Sequence, residues 1–270
     1  MEGGRSIVKP SIIITGGSNG IGRALALTYA AHSYFVYTLS RSNPHWQQPN
    51  LKHICCDVTS PEQLAQAAKT IQSEGRPVQQ LICCAGYGIA GPTEGTELSA
   101  AKQQFDVNFF GVFLTIQEFL PLLKPSRGKI ILISSAAGEL AIPFQSFYSA
   151  SKAAANKLLE AWQLELRPFG IQVSTFLLGD TKTGFTAARQ KSMTFHPQYQ
   201  QAYVRSIAKM EYDEQHGLSP EATAACIYRR CQKAKLPPVQ TVGWQYHLFL
   251  LLQRLLPRRL VLFLIARLYA

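Results

Sequence analysis

Acidic residues are scarce in this chain. Its 270 residues hold 16 Asp and Glu against 27 Lys and Arg, a formal net charge of +11. Charged residues make up only 16% of the sequence, against roughly a quarter in an ordinary globular domain. The deficit is sharpest at one end. From Ala222 onward there is no Asp or Glu, while Arg229, Arg230, Lys233, Lys235, Arg254, Arg258, Arg259 and Arg267 give that segment +8 of the +11. An acid-free basic segment suggests an anionic partner, such as a lipid surface or an acidic carrier protein; no nucleic-acid partner is expected. Metal-ligand spacing is missing too. The six cysteines (Cys55, Cys56, Cys83, Cys84, Cys226 and Cys231) form no C-x-x-C pair and no Cys/His set, so no metal is expected. They read as small buried thiols of a reducing, cytoplasmic compartment. A secretion signal is not expected, because the first apolar run, Ile12 to Ile14, goes straight into a glycine loop. Internal repeats, low-complexity tracts and long linkers are absent. The length suits one large α/β domain, or one domain with a small appendage.

What the chain does have is concentrated between Ser134 and Lys152, S-S-A-A-G-E-L-A-I-P-F-Q-S-F-Y-S-A-S-K. Tyr148 and Lys152, four apart, rise from one face of a helix. A phenol ionises near pH 10, and an ammonium beside it favours the phenolate, so Lys152 is expected to draw the Tyr148 pKa down. Ser135 ends the apolar run that starts at Lys129, and a strand end there aims its hydroxyl at the same point. Such a trio can move a proton at an oxygen while a hydride moves at its carbon. A Y-x-x-x-K pair by itself is usually a solvated helix face; the serine and Gly138 strengthen the catalytic reading.

A second signal stands near the N-terminus. Ser11 to Thr15 reads as a buried strand, T-G-G-S-N-G-I-G follows (Thr15 to Gly22), then a helical pattern. Strand, glycine loop and helix form the unit that holds a dinucleotide, with the phosphates on the helix N-terminus. The second strand, Tyr34 to Ser40, ends at Ser40-Arg41 with no acid to bind an adenosine 2′-hydroxyl. A guanidinium pairs with a 2′-phosphate, which favours NADP(H), unless Arg41 is simply a solvated loop charge. Asp57, after a third strand (Leu51 to Cys56), either accepts from the adenine amino group or caps the helix that Ser60-Pro61-Glu62 begins.

Strand and helix alternate onward. Helices are expected over Pro61–Glu74, Leu98–Leu123, Phe147–Arg167 and Ser219–Lys235, and strands over Val78–Cys84, Ile130–Ser134, Ile171–Leu178 and Val239–Val242. This pattern predicts a Rossmann-like, doubly wound parallel α/β sheet with helices on both faces. Ligands sit beyond strand carboxyl ends in such sheets, where the glycine loop, Asp57, Gly86, Ser135 and Gly179 all fall. Asn108, in D-V-N-F-F-G, needs partners if buried; strand backbone and water are both available readings. Residues 1–243 are expected to form the catalytic domain. Residues 180–217 are an insertion rich in Phe185, Met193, Phe195, Tyr199, Tyr203, Met210 and Tyr212 that either closes over an apolar substrate or simply packs.

These residues resemble the short-chain dehydrogenases/reductases over roughly Ser11 to Val242. Thr15-Gly16-x-x-x-Gly20-x-Gly22 matches the family's glycine motif, and Ser135, Tyr148, Lys152 and Asn108 match its catalytic four. The resemblance implies that Tyr148 is the acid-base, Ser135 holds the substrate oxygen, Lys152 binds the nicotinamide ribose and lowers the tyrosine pKa, and Asn108 positions a relay water. It also implies cofactor contacts from Gly16, Ser18, Asn19, Gly20, Ile21, Gly22, Ser40, Arg41, Asp57, Val58, Ala85, Gly86, Tyr148, Lys152, Gly179, Thr181 and Thr183, and substrate contacts from Ser135, Tyr148 and Phe185. Two motifs depart: N-N-A-G is C-C-A-G here, leaving the sheet without an amide's hydrogen bonds at Cys83-Cys84, and P-G is Leu178-Gly179. The segment G-D-T-K-T-G-F and the apolar tail look like the branch acting on lipid-like substrates, with hydroxysteroid and retinol dehydrogenases and 3-ketodihydrosphingosine reductases. An NADP(H)-dependent carbonyl–alcohol oxidoreductase acting on an apolar small molecule is expected, as a homodimer or tetramer. A 3-oxoacyl carrier-protein-type reductase and a non-catalytic NADP-binding scaffold are the alternatives.

The tail, residues 244–270, is too interrupted to span a bilayer, which takes about 20 predominantly apolar residues. Two short helices hinged near Pro257 are expected. Either they roof the substrate cleft of their own domain or a partner's, or they anchor the protein peripherally to a membrane's cytoplasmic face.

Overall fold

Two-residue periodicity along the strands decides the layers. The computed structural model describes residues 9–191 and 194–269, so Met193 and residues 1–8 lie outside it. In β1 (Ser11–Thr15) Ile12 and Ile14 point to one side of the sheet and Ile13 to the other. β2 (Phe35–Ser40) divides in the same way, Val36 against Tyr37 and Leu39. All are buried on both faces, which is why these strands read as apolar runs. With β3 (Leu51–Cys55), β4 (Val78–Cys83), β6 (Lys129–Ser135), β7 (Gln172–Leu178) and β9 (Val239–Val242) they form a seven-stranded sheet, ordered β3-β2-β1-β4-β6-β7-β9. Every pairing in it is parallel. A separate two-strand ladder joins β5 (Ile89–Ala90) to β8 (Gln190–Lys191).

On one face lie α1 (Gly20–Ala31) and α8 (Pro220–Cys231), packed on Ile12, Ile14, Ile131 and Phe176. The other face carries α2 (Pro61–Ser73), α4 (Gly111–Leu123) and α5 (Ser146–Glu165) over Ile13, Leu81, Ile130 and Val173. The doubly wound parallel sheet expected from the alternation is what the structure has. The order reverses between β1 and β4, so chains leaving these neighbours part to opposite faces and open a crevice at their carboxyl ends.

Several expectations shift locally. The continuous helix expected over Leu98–Leu123 is α3 (Leu98–Phe105), a π turn at Asp106–Phe110, and α4. Asp57 does not cap α2; Ser60 does, accepting from the Gln63 N–H, while Asp57 Oδ1 accepts from the Thr59 N–H at 2.9 Å and hydroxyl at 2.8 Å. Cys55 is exposed, unlike buried Cys56, Cys83 and Cys231. The insertion contributes β8, a short α6 (Phe185–Ala188) and the long α7 (Gln200–Gln215). The tail folds as α9 (Trp244–Leu255) and α10 (Arg258–Tyr269), broken at Leu256-Pro257 as Pro257 requires.

Candidate active site

A cleft of about 1000 Å³ runs along the carboxyl edge of the sheet. Its floor at one end is the glycine loop. Gly16 holds φ at 68°, and a Cβ there would stand 2.8 Å from the Ala85 backbone, so the loops after β1 and β4 meet only because this residue has no side chain. Thr15 fastens the same junction: its hydroxyl oxygen accepts from the N–H groups of Cys84, 3.1 Å, and Ala85, 3.2 Å. This supplies the sheet stabilisation that C-C-A-G lacked in the sequence. The threonine before the glycines was its signal.

The N-terminus of α1 is left open for a ligand. Asn19 makes no side-chain cap and the first turn holds no acid, whereas α2 and α8 are capped by Ser60 and Ser219. Bare N–H groups with a positive dipole end suit a pyrophosphate. Arg41 is exposed on the cleft wall beside Ser40, whose hydroxyl is turned to the Ser42 carbonyl. These residues fit a dinucleotide. Ser18, Ile21, Asp57, Val58, Ala85, Gly86, Gly179, Thr181 and Thr183 border the same cleft. Thr183 accepts from the Phe185 N–H, 3.1 Å, which places the Phe185 ring 5.6 Å from that of Tyr148.

Midway along the cleft stand the candidate catalytic side chains. The end of β6 sets Ser135, and the first turns of α5 carry Tyr148 and Lys152. Burial pushes the Tyr148 phenol up to about 12; the nearby Ser135 hydroxyl and Arg189 oppose the rise, and Glu214 and Asp180 add to it. The lowering expected from Lys152 is not found. Its Nζ lies 6.0 Å from the ring centroid and donates to the Ile133 carbonyl, 3.2 Å. Burial pulls Lys152 itself down to about 8. At neutral pH Tyr148 therefore holds its proton and Lys152 remains mostly charged.

Asn108 is the expected residue that does not line the cleft. It sits behind Gly86 and braces the loop after β4: Oδ1 accepts from the Tyr87 N–H at 3.1 Å, and Nδ2 donates to the Tyr87 carbonyl, 3.0 Å, and Ser151 Oγ, 3.1 Å. Of the readings open for it, backbone bonding is present, to this loop rather than to the strand. Both amide hydrogens are committed, so a relay water would be held by the second lone pair of Oδ1 or by the Asn108 backbone.

Beyond Tyr148 the cleft becomes an apolar chamber. Leu140 and Ile142 form one wall, and Phe249, Leu252, Val261 and Ile265 of the tail form its roof. The tail thus packs on its own domain. Sequence reasoning missed what pins it there. The Tyr246 hydroxyl donates to the Asp180 carboxylate, and Gln253 donates to the Glu139 carbonyl, 2.8 Å. Burial pushes Asp180 up to about 6. Also unforeseen is the buried pair of Arg189 with Glu214, which sets the guanidinium 5.7 Å from the Phe185 ring. These partners are far apart in sequence and carry no motif.

A family model described as short chain dehydrogenase matches residues 10–194. A 3-ketodihydrosphingosine reductase of Bacteroides thetaiotaomicron is 37% identical over 233 residues, which cover 85% of this chain and 86% of that one. A short-chain dehydrogenase structure from Streptomyces avermitilis superposes with a TM-score of 0.82 at 26% identity, covering 92% and 93% of the two chains. Another from Burkholderia cenocepacia, solved with NADP, shares the fold at a TM-score of 0.77 and 22% identity over 97% and 98%. With the glycine loop, the Ser135–Tyr148–Lys152 arrangement and the parallel sheet already in place, the chain belongs to the short-chain dehydrogenase/reductase family.

Proposed function

We propose that this chain is an NADP(H)-dependent oxidoreductase that interconverts a carbonyl and an alcohol on an apolar, lipid- or steroid-like substrate. The observation that carries the reading is the position of the Tyr148–Ser135 pair, where the dinucleotide cradle meets the apolar chamber. NADP(H), when bound, supplies or accepts the hydride. The chain's own residues handle the oxygen. Ser135 donates a hydrogen bond to it, and Tyr148, protonated at neutral pH, gives it a proton as charge develops. In the alcohol-to-carbonyl direction the phenol must first lose its proton, which its burial opposes. The Lys152 charge, 6.0 Å from the Tyr148 ring centroid, is available to offset the negative charge left on the phenolate once its proton is given up. Arg41 supports NADP(H) over NAD(H) through its charge at the end of β2. The chamber's apolar roof suits a long hydrocarbon, and the similarity to a 3-ketodihydrosphingosine reductase agrees with this. The exposed outer surface of the tail supports work at the cytoplasmic face of a membrane. The test is NADPH oxidation by purified protein against long-chain ketones, steroids, retinoids and acyl thioesters. Turnover with none of the apolar carbonyls, or with acyl thioesters alone, refutes the substrate class.

A further inference from the structure

The two tail helices divide their side chains between two surroundings. Leu250, Val261 and Ile265 are buried against the domain. On the opposite side Trp244, Leu251, Leu255, Leu260, Leu262 and Phe263 stand 42% to 76% exposed. Scattered surface leucines are ordinary; a contiguous pair of helices presenting this many is not. Arg254, Arg258 and Arg259 are exposed among them, and no acid occurs from Ala222 onward. Leucine, phenylalanine and tryptophan beside arginines make up the composition of a helix lying in a lipid interface. Each helix has 12 residues, about 18 Å, so neither spans a hydrocarbon core of about 30 Å.

A second observation joins this patch to the site. Phe249, Leu252, Leu264 and Leu268 line the cleft, yet each is also 38% to 50% exposed. The cleft-lining residues of the tail thus keep accessible surface and adjoin the outer apolar residues in sequence, Leu252 beside Leu251 and Leu264 beside Phe263.

We propose that α9 and α10 bed into the headgroup–acyl boundary of an anionic bilayer, and that the seam between them admits an apolar substrate directly from lipid into the cleft. The identity of that substrate rests on the reading above; the docking does not. A bilayer carrying anionic lipid fits better than a second copy of this chain, because a two-fold contact through this face would set an acid-free, arginine-bearing surface against itself.

Full-length protein is sedimented with phosphatidylcholine vesicles, with and without phosphatidylglycerol, at low and high salt. Binding is expected to the anionic vesicles, roughly tenfold weaker to neutral ones, and reduced by salt. The variant Leu255→Asp/Phe263→Asp, altered only on the outer face, should lose vesicle binding roughly tenfold or more. It should keep wild-type NADPH binding and turnover of a short, water-soluble ketone, and lose turnover of a long-chain ketone carried in vesicles. Arg254→Gln/Arg258→Gln/Arg259→Gln should keep weak binding but lose the preference for anionic vesicles. Wild-type protein that stays in the supernatant with both vesicle types overturns the docking. So does a Leu255→Asp/Phe263→Asp variant that binds vesicles normally but falls to a smaller assembly by light scattering, which makes the patch a subunit interface. Equal turnover of vesicle-borne ketone by a variant that no longer binds overturns the seam. Failure of the soluble ketone with every form indicts the proposed activity instead, leaving the sedimentation result standing.

Discussion

Gly179 lies directly beneath the ring of Tyr246, so that a Cβ on the glycine would collide with Cδ2 and Cε2. The ring crosses the end of β7 and its hydroxyl reaches the next residue, Asp180. One glycine therefore lets the tail lie flat on the catalytic edge. Gly179→Ala should force the ring away at an overpacking cost of about 1–3 kcal/mol. Thermal unfolding should drop by roughly 2–4 °C for each kcal/mol. Adding Tyr246→Ala removes the collision, so the double variant should lose clearly less than the two single losses together. Additive losses across that four-member cycle refute the packing.

Asp180 makes a pH prediction. Its carboxyl is raised to about 6 by burial first, with Asp213 and Glu214 adding to the rise and the Tyr246 hydrogen bond and Lys209 opposing it. A carboxyl raised above its unfolded value of about 3.9 stabilises the fold where it is protonated. That contribution is full below about pH 4 and is lost as pH rises through about 6. Asparagine in its place still accepts from Tyr246 without taking on charge. Asp180→Asn should thus be more stable than wild type at pH 8, by at most ~3 kcal/mol, with the gap closing toward pH 4. Urea titrations at the two pH values measure it; a gap that widens on acidification has the wrong sign.

The sheet and the cleft floor were legible in the sequence because they are built from local signals. Runs such as Ile12–Ile14 and Ile130–Ile133 are buried on both faces, and the glycine loop, Ser135 and the Tyr148–Lys152 pair are contiguous or fixed by helical spacing. The pairings that close the site were not legible. Tyr246 meets Asp180 across 66 residues and Arg189 meets Glu214 across 25. Neither contact leaves a period or motif, only tertiary proximity. The Tyr148 pKa was misread for a related reason: spacing puts Lys152 on the same helix face, but burial is a property of the whole fold, and here it dominates. Asn108 was found, yet its partner, Tyr87, follows from the path of a loop that residue types do not encode.

Tyr148 and Thr15 separate chemistry from architecture. Tyr148→Phe removes the proton but keeps the ring against Phe185, so turnover should fall by about 10²–10⁴-fold while NADPH fluorescence titration stays near wild type. Comparable activity in that variant sinks the mechanism.

Thr15 should behave in the opposite way. Its hydroxyl is the acceptor for two N–H groups at the β1–β4 junction, and the side chain is 2% exposed. Thr15→Val keeps the shape and strands both donors, at about 1–3 kcal/mol each. Thr15→Ser keeps the oxygen and should recover most of that. Denaturant midpoints report the difference, and NADPH affinity should weaken only in the valine variant, because this junction holds Gly16 against Ala85. Equal midpoints for serine and valine leave the hydroxyl without a role.

Arg41 carries the proposed choice of cofactor. It stands exposed at the end of β2, on the cleft wall, with Ser40 turned away toward the Ser42 carbonyl and no acid in between. A hydrogen bond to a charged group is worth about 1.5–3 kcal/mol, so loss of a guanidinium–phosphate contact should cost NADPH roughly 10–100-fold in kcat/KM. NADH, lacking the phosphate, should be nearly unaffected. Arg41→Gln tests the attraction alone. Arg41→Asp adds repulsion toward a 2′-phosphate and offers an acceptor to a 2′-hydroxyl, so it should move the NADPH-to-NADH ratio further in the same direction. Raising the salt concentration should shrink the wild-type preference, because Arg41 is exposed and screened, and leave the glutamine variant flat. The measurement is the ratio of kcat/KM for the two cofactors in all three proteins. If that ratio is the same in each, Arg41 is an ordinary surface charge and the choice of NADP(H) is wrong.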